Sequence, residues 1–242
     1  MTAAADPHDR PAVLVVHGAL GDAEQLRSLA DALGEVGSVH RVELPGHGRT
    51  PLPSGADFGM ALFAGTIGEA AQRYRVGDRP PICFGYSMGG YAALVLASTS
   101  PGALGGIVTL GTKFEWTPAL AAVAAARLDA SLLQAKVPAF AEQLRQRHEG
   151  VGGWELMLGR TAQLLVDLGA APLLTPHSLA NIRIPVRLAV GSRDDTVTVH
   201  EVEQVAPLLP QATMHVLRDV PHPIERVPMH LLVDLVRNFP RS

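Results

Sequence analysis

Residues 85–90 read Gly85-Tyr86-Ser87-Met88-Gly89-Gly90, a match to G-x-S-x-G. Pro81 to Phe84 ahead of them is a short apolar run, and Met88 to Ala97 behind them is apolar and long enough for a helix. The hexapeptide therefore marks a turn from a buried strand into a buried helix. A serine on so sharp a turn sits in a strained backbone conformation, with strand and helix passing in contact. Glycine at 85 and 89 removes the side chains that would collide there. Ser87 is thus expected to be exposed at the carboxyl end of a sheet. Beside it would lie the free N–H of Met88 and the positive end of a helix dipole.

The same rhythm of apolar run, glycine turn and helix-length segment extends to both sides. Val13 to Val16 precedes His17-Gly18 and a helix-compatible stretch at about 22–34, and Ser38 to Leu44 reads as the next strand. A helix is expected at 57–75 and a fourth strand over Gly106 to Leu110. From 112 to 180 only helical segments follow, at roughly 117–130, 137–148, 153–168 and 176–181, the first opened by the Thr117-Pro118 cap. Pro185 to Val190 and Thr213 to Leu217 complete six strands, with helices at about 199–209 and 224–238. This alternation defines an α/β protein, a mostly parallel sheet of about six strands flanked by helices. The block at 112–180 is too long for a loop and reads as an all-helical cap inserted after the fourth strand. The expected division is a core of 1–111 and 181–242 with 112–180 as the lid.

Composition narrows the class. Of 242 residues, 47% are hydrophobic and 18% charged, enough apolar matter for a large core. A net charge of −3 supplies no broad attraction for nucleic acid or an acidic membrane. The single cysteine, Cys83, excludes an internal disulfide framework and reads as core. Met1 to Arg10 lacks the apolar run of a signal peptide, and no stretch of about 18 apolar residues is present. A soluble, cytoplasmic protein is expected. His215 and His222 lack partners at metal-ligand spacing, and no segment reads as a phosphate loop, so neither metal nor cofactor is expected. The expected partner is a small-molecule substrate, with neither nucleic acid nor membrane expected.

A serine hydroxyl needs a base, and the base needs an orienting group. Of ten histidines, His222 is best placed, after the last strand in Val220-Pro221-His222-Pro223. Asp194 follows the strand ending at Val190, with Asp195 as its rival. Ser87, Asp194 and His222 all fall just after predicted strands, so they can converge at one edge of the sheet. The turn His17-Gly18-Ala19-Leu20 can aim the N–H of Ala19 at the point served by Met88, a two-donor oxyanion hole. His17 itself reads as structural.

These motifs resemble the α/β-hydrolase superfamily over nearly the whole chain. The resemblance rests on His17-Gly18, Glu43 to Gly48, Gly85 to Gly90, Ile182 to Val186, Gly191 to Asp194, and His222. It implies Ser87 as nucleophile, His222 as general base and then acid, and Asp194 holding the imidazole, with Ala19 and Met88 as oxyanion donors and His47 structural. Some relatives carry the acid after the fourth strand; here that place reads Gly111-Thr112-Lys113, with no carboxylate before Glu115. About eleven residues precede the first strand, so the antiparallel hairpin that usually opens the family core is expected to be missing. The elbow and the His17 to Gly21 turn also resemble the cyclohexadiene-carboxylate lyase group of menaquinone synthesis. That group has an arginine after the elbow glycines, where this chain has Tyr91.

The resemblance implies a serine hydrolase cleaving a carboxylic ester or thioester through an acyl-enzyme. The alternatives are a carbon–carbon hydrolase or lyase using the same triad, and a small-molecule receptor on the same fold. Leu20, Tyr86, Phe114, Trp116 and Trp154, with Phe140, Met157 and Leu158, are candidates for the pocket. Arg127, Arg145, Arg147, His148 and Arg160 are candidates for meeting an anionic substrate. Substitutions in the cap are expected to change substrate preference while leaving reaction of Ser87 with a small phosphonate intact.

Overall fold

A computed structural model describes residues 11–240; the reading of Met1 to Arg10 lies outside the described residues. Six strands form one sheet: β1 (Val13–Val16), β2 (Val39–Val42), β3 (Ile82–Tyr86), β4 (Gly106–Leu110), β5 (Val186–Gly191) and β6 (Ala212–Leu217). Their order is β2-β1-β3-β4-β5-β6, and every pairing is parallel. Side chains alternate along each strand. Leu14, Val16 and Cys83 enter one core layer, while Val13, Val15, Ile82 and Phe84 enter the other. The central strands are buried on both faces, which is why they read as unbroken apolar runs.

The first layer is filled by α2 (Met60–Arg73), α3 (Met88–Thr99) and α9 (Val199–Val205), the second by α1 (Arg27–Leu33) and α10 (Met229–Arg237). Residues Met88 to Ala97 of α3 are all buried, so this helix has no polar face to show. The expected final helix at 224–238 is split: a 3-10 turn spans Ile224–Arg226, and α10 begins only after Pro228, whose ring prevents a continuous helix. Arg187 of β5, almost buried, closes the other end of α10. It donates to Leu235 O at 2.6 Å and Asn238 O at 2.9 Å, two terminal carbonyls without acceptor work inside the helix.

Between β4 and β5 lie five α-helices and a 3-10 turn at Glu149–Val151: α4 (Pro118–Ala126), α5 (Ala130–Lys136), α6 (Pro138–Arg147), α7 (Trp154–Ala170) and α8 (Pro176–Ala180). The sequence predicts four, missing α5. That helix has no fully buried residue, and only Ala130 and Leu133 rest on the core of the insertion, too short an apolar face to read. Asp129 caps it, accepting the N–H of Leu132 at 2.7 Å. Among the described residues no helix is long and apolar enough to cross a membrane.

Candidate active site

The elbow follows from steric necessity. Ser87 has φ +50 and ψ −115, outside the ordinary regions. Its N–H donates to Leu110 O at 2.8 Å, and its carbonyl accepts Thr112 Oγ1 at 3.0 Å and the N–H of Gly90 at 3.0 Å. A Cβ at Gly85 would lie 2.5 Å from the Cα of Gly90, and one at Gly89 would lie 2.5 Å from the carbonyl oxygen of His17. Both glycines are therefore required by the close pass of β3, α3 and the end of β1.

Two further loops bring the imidazole and the carboxylate together. The loop after β5 is stitched to the loop after β6: Arg193 N–H donates to Val220 O at 3.0 Å and Asp219 N–H to Ser192 Oγ at 2.8 Å. His222 Nδ1–H donates to Asp194 Oδ2 at 2.7 Å. The other oxygen, Oδ1, accepts the N–H of Thr196 and of Val197, each at 2.8 Å. The Asp194 side chain is 2% exposed and the His222 side chain 15%. Asp195 is exposed and meets only Thr196 Oγ1 at 3.5 Å among its hydrogen bonds given by the described residues. Gly111, with φ +61, lies beneath the pair: a Cβ there would be 3.1 Å from both Asp194 Oδ2 and His222 Nδ1. Tyr86 steadies His222 from the other side, its hydroxyl donating to His222 O at 3.2 Å. Burial pushes the Tyr86 phenol above its ordinary range, so it remains a donor.

Ser87, His222, Ala19 and Met88 line one cavity of about 380 Å³, within the range of small-ligand pockets. As the first residue of α3, Met88 has an N–H with no acceptor inside the helix. His17 is fully buried at the end of β1 and its Nε2 accepts the N–H of Leu44 at 3.1 Å. His47 is likewise buried.

The helical insertion supplies much of the remaining wall. Leu20, Tyr86, Trp116 and Phe140 line the cavity as expected from the sequence, together with Arg127 and Arg147. Phe114 and Trp154 do not line it. Phe114 turns into the main core, and its N–H donates to Glu201. Trp154 packs inside the insertion with Leu144, Met157 and Leu158, under the guanidinium of Arg145. Arg145, His148 and Arg160 are also absent from the lining. Sequence reading missed Met60, Tyr91 and the α7 residues Thr161, Leu164, Leu165 and Leu168. The α7 set recurs at i, i+3, i+4 and i+7, a legible face whose facing direction only the fold supplies.

Both ends of the insertion stand on the core. Glu201 of α9 accepts the N–H groups of Phe114 and Glu115 and meets Lys113 Nζ at 3.3 Å. At the far end the Tyr91 hydroxyl accepts the N–H groups of Leu173 and Leu174, both at 3.1 Å. Where the lyase group has its arginine, this chain has a structural tie. Among the described residues no group of three or more His, Cys, Asp or Glu could hold a metal ion.

Residues 11–152 match the model of the alpha/beta hydrolase fold family. The chain belongs to that family, and it is a hydrolase with esterases among its relatives. The pimeloyl-[acyl-carrier protein] methyl ester esterase of Methylococcus capsulatus (strain Bath) is 30% identical over 206 residues, covering 76% of either chain. A thermophilic esterase from Thermogutta terrifontis matches in structure with a TM-score of 0.71 at 19% identity, over 94% of this chain and 88% of that one. E-2-(Acetamidomethylene)succinate hydrolase matches at 0.74 and 18% identity, over 96% and 91%. At those identities the two structures speak for the fold.

Proposed function

We propose that this hydrolase cleaves a carboxylic ester or thioester of a small substrate through Ser87, His222 and Asp194. The observation that carries the reading is the 2.7 Å bond from His222 Nδ1 to the buried Asp194, with Ser87 and His222 on the wall of one pocket. Asp194 fixes the tautomer, leaving Nε2 of His222 as the base. Ser87 Oγ attacks the carbonyl carbon while Nε2 takes its proton; the tetrahedral oxyanion is held by the N–H groups of Ala19 and Met88. Collapse expels the alcohol or thiol, which takes the proton back from His222. Water, deprotonated by His222, then releases the acid and restores Ser87.

Residues 112–180 serve as a cap over a core of 1–111 and 181–242. The pocket wall is chiefly apolar, with Met60, Leu128, Phe140 and the leucines of α7, which suits an acyl chain. The relative's named substrate is a methyl ester, which puts carboxylic esters first. The test is hydrolysis of p-nitrophenyl esters of increasing acyl length, alongside a matched thioester and methyl ester, with Ser87→Ala as the blank. Release that vanishes in Ser87→Ala supports the nucleophile, and the length optimum sizes the pocket. Release that survives in Ser87→Ala refutes the assignment.

A further inference from the structure

The turn after β1 is built against its own backbone preference. Gly21 N–H closes it on Gly18 O at 3.1 Å, and Leu20, third of its four residues, has φ +60. Glycine or asparagine normally fills such a place, because a Cβ there crowds the following carbonyl. What holds Leu20 comes from the helical insertion. Its carbonyl accepts Arg147 Nη1 at 2.9 Å and meets His148 Nε2 at 3.1 Å. His148 Nδ1 accepts the N–H of Gly48 at 3.2 Å, so the ring proton sits on Nε2 and is donated to Leu20 O. The Leu20 side chain is buried with Leu144, Trp154 and Met157, in the small core of the insertion rather than that of the sheet. Arg147 is held in turn by Asp22, 3.5 Å away.

We propose that Arg147 and His148 are positioning residues that, with the seat of the Leu20 side chain, hold the Ala19 N–H on the reacting carbonyl. Ala19 lies between Gly18, packed against Tyr86 and Ser87, and this anchored neighbour. The insertion therefore sets the rate of the chemical step as well as the choice of substrate. The inference rests on the reading of Ser87 and Ala19 given under the proposed function. It replaces the expectation of a separable cap, since changes at these positions slow reaction at Ser87 even with a reagent too small to reach the helices.

The test follows phosphonylation by a small p-nitrophenyl alkylphosphonate, together with kcat and KM on a short p-nitrophenyl ester. In the labelling step Ser87 Oγ bonds to phosphorus, p-nitrophenolate leaves and His222 takes the hydroxyl proton. In Arg147→Met and in His148→Phe, assayed below their unfolding temperatures, the labelling rate and kcat are expected to fall together, on the order of 10–100-fold. KM stays within about twofold. Arg147→Lys, which returns a donor to Leu20 O, recovers part of the loss. A labelling rate equal to that of the parent overturns the proposal, as does a change confined to KM, which makes Arg147 a substrate contact only. If either variant does not fold, Leu20→Ala keeps both donors and removes the apolar seat, and the same split decides. A parent chain that does not label at Ser87 overturns the proposed function as well, and is thereby told apart from failure of the clamp alone.

Discussion

Asp194 and Asp195 carry the same carboxylate on adjacent residues, and only the backbone path separates them. Asp194 accepts three hydrogen bonds on a buried carboxylate, while Asp195 faces solvent. On the proposed mechanism Asp194→Asn is expected to lower kcat on the order of 10³–10⁴-fold, because the amide would no longer hold the tautomer that a base at His222 needs. Asp195→Asn should leave kcat within about twofold, since it orients nothing in the site. The reverse ranking in steady-state kinetics would reassign the acid. The sequence reading chose Asp194 and kept Asp195 as a rival, since the N–H groups of Thr196 and Val197 that separate them belong to the turn. Phe114 and Trp154 show the same limit: an aromatic composition states that a side chain is to be buried and not in which direction. Cys83 was legible because it sits in a run buried on both faces. Burial pushes its thiol up to about 12, so the native chain should not react with a thiol reagent at neutral pH, whereas denatured chain should. Rapid native labelling would contradict this packing.

Among elements, the elbow was the most legible because steric exclusion at Gly85 and Gly89 leaves few residue choices. α5 was the least, with only Ala130 and Leu133 partly buried and so too little of a face to impose a period. The break at Pro228 was written in the sequence, but the α10 cap was not, since its donor, Arg187, lies in a strand 48 residues earlier than Leu235. Burial pulls the Arg187 guanidinium below its usual value, and its ring contact with Phe239 adds to the hold. Arg187→Met keeps the apolar stem and leaves two terminal carbonyls without a donor. It is expected to cost about 1–3 kcal/mol in urea unfolding, with amide exchange accelerated first in α10. Unchanged stability would mean that water replaces the guanidinium at no cost.

On the scale of the whole molecule, three loops meet at buried imidazoles. His47 lies 4.9 Å from His17 and 6.1 Å from His148, ring centre to ring centre. Burial, and then repulsion from His17 and His148, drives His47 well below the ordinary imidazole value; burial also lowers His148. An unfolded chain accepts protons on both near pH ~6.5, where the folded chain resists them. The unfolded state then binds more protons, so this stability is complete above about pH 6.5 and is lost as the pH falls. Urea midpoints should decline from about pH 7.5 to about pH 5.5 and decline less in His47→Phe, which has no proton to take up. A flat profile in the parent would remove these rings from the balance.

The ties at Glu201 and Tyr91 bear on how a substrate gains admission. The hydrogen bonds at both feet of the insertion oppose its swinging open as a rigid body. Leu128 and Phe140, on either side of α5, line the pocket, while α5 itself has no fully buried residue and rests on the insertion's core through Ala130 and Leu133. If the insertion is a cap, passage is then expected to go by local opening of Ala130–Lys136, paced by helix propensity in about two largely exposed turns.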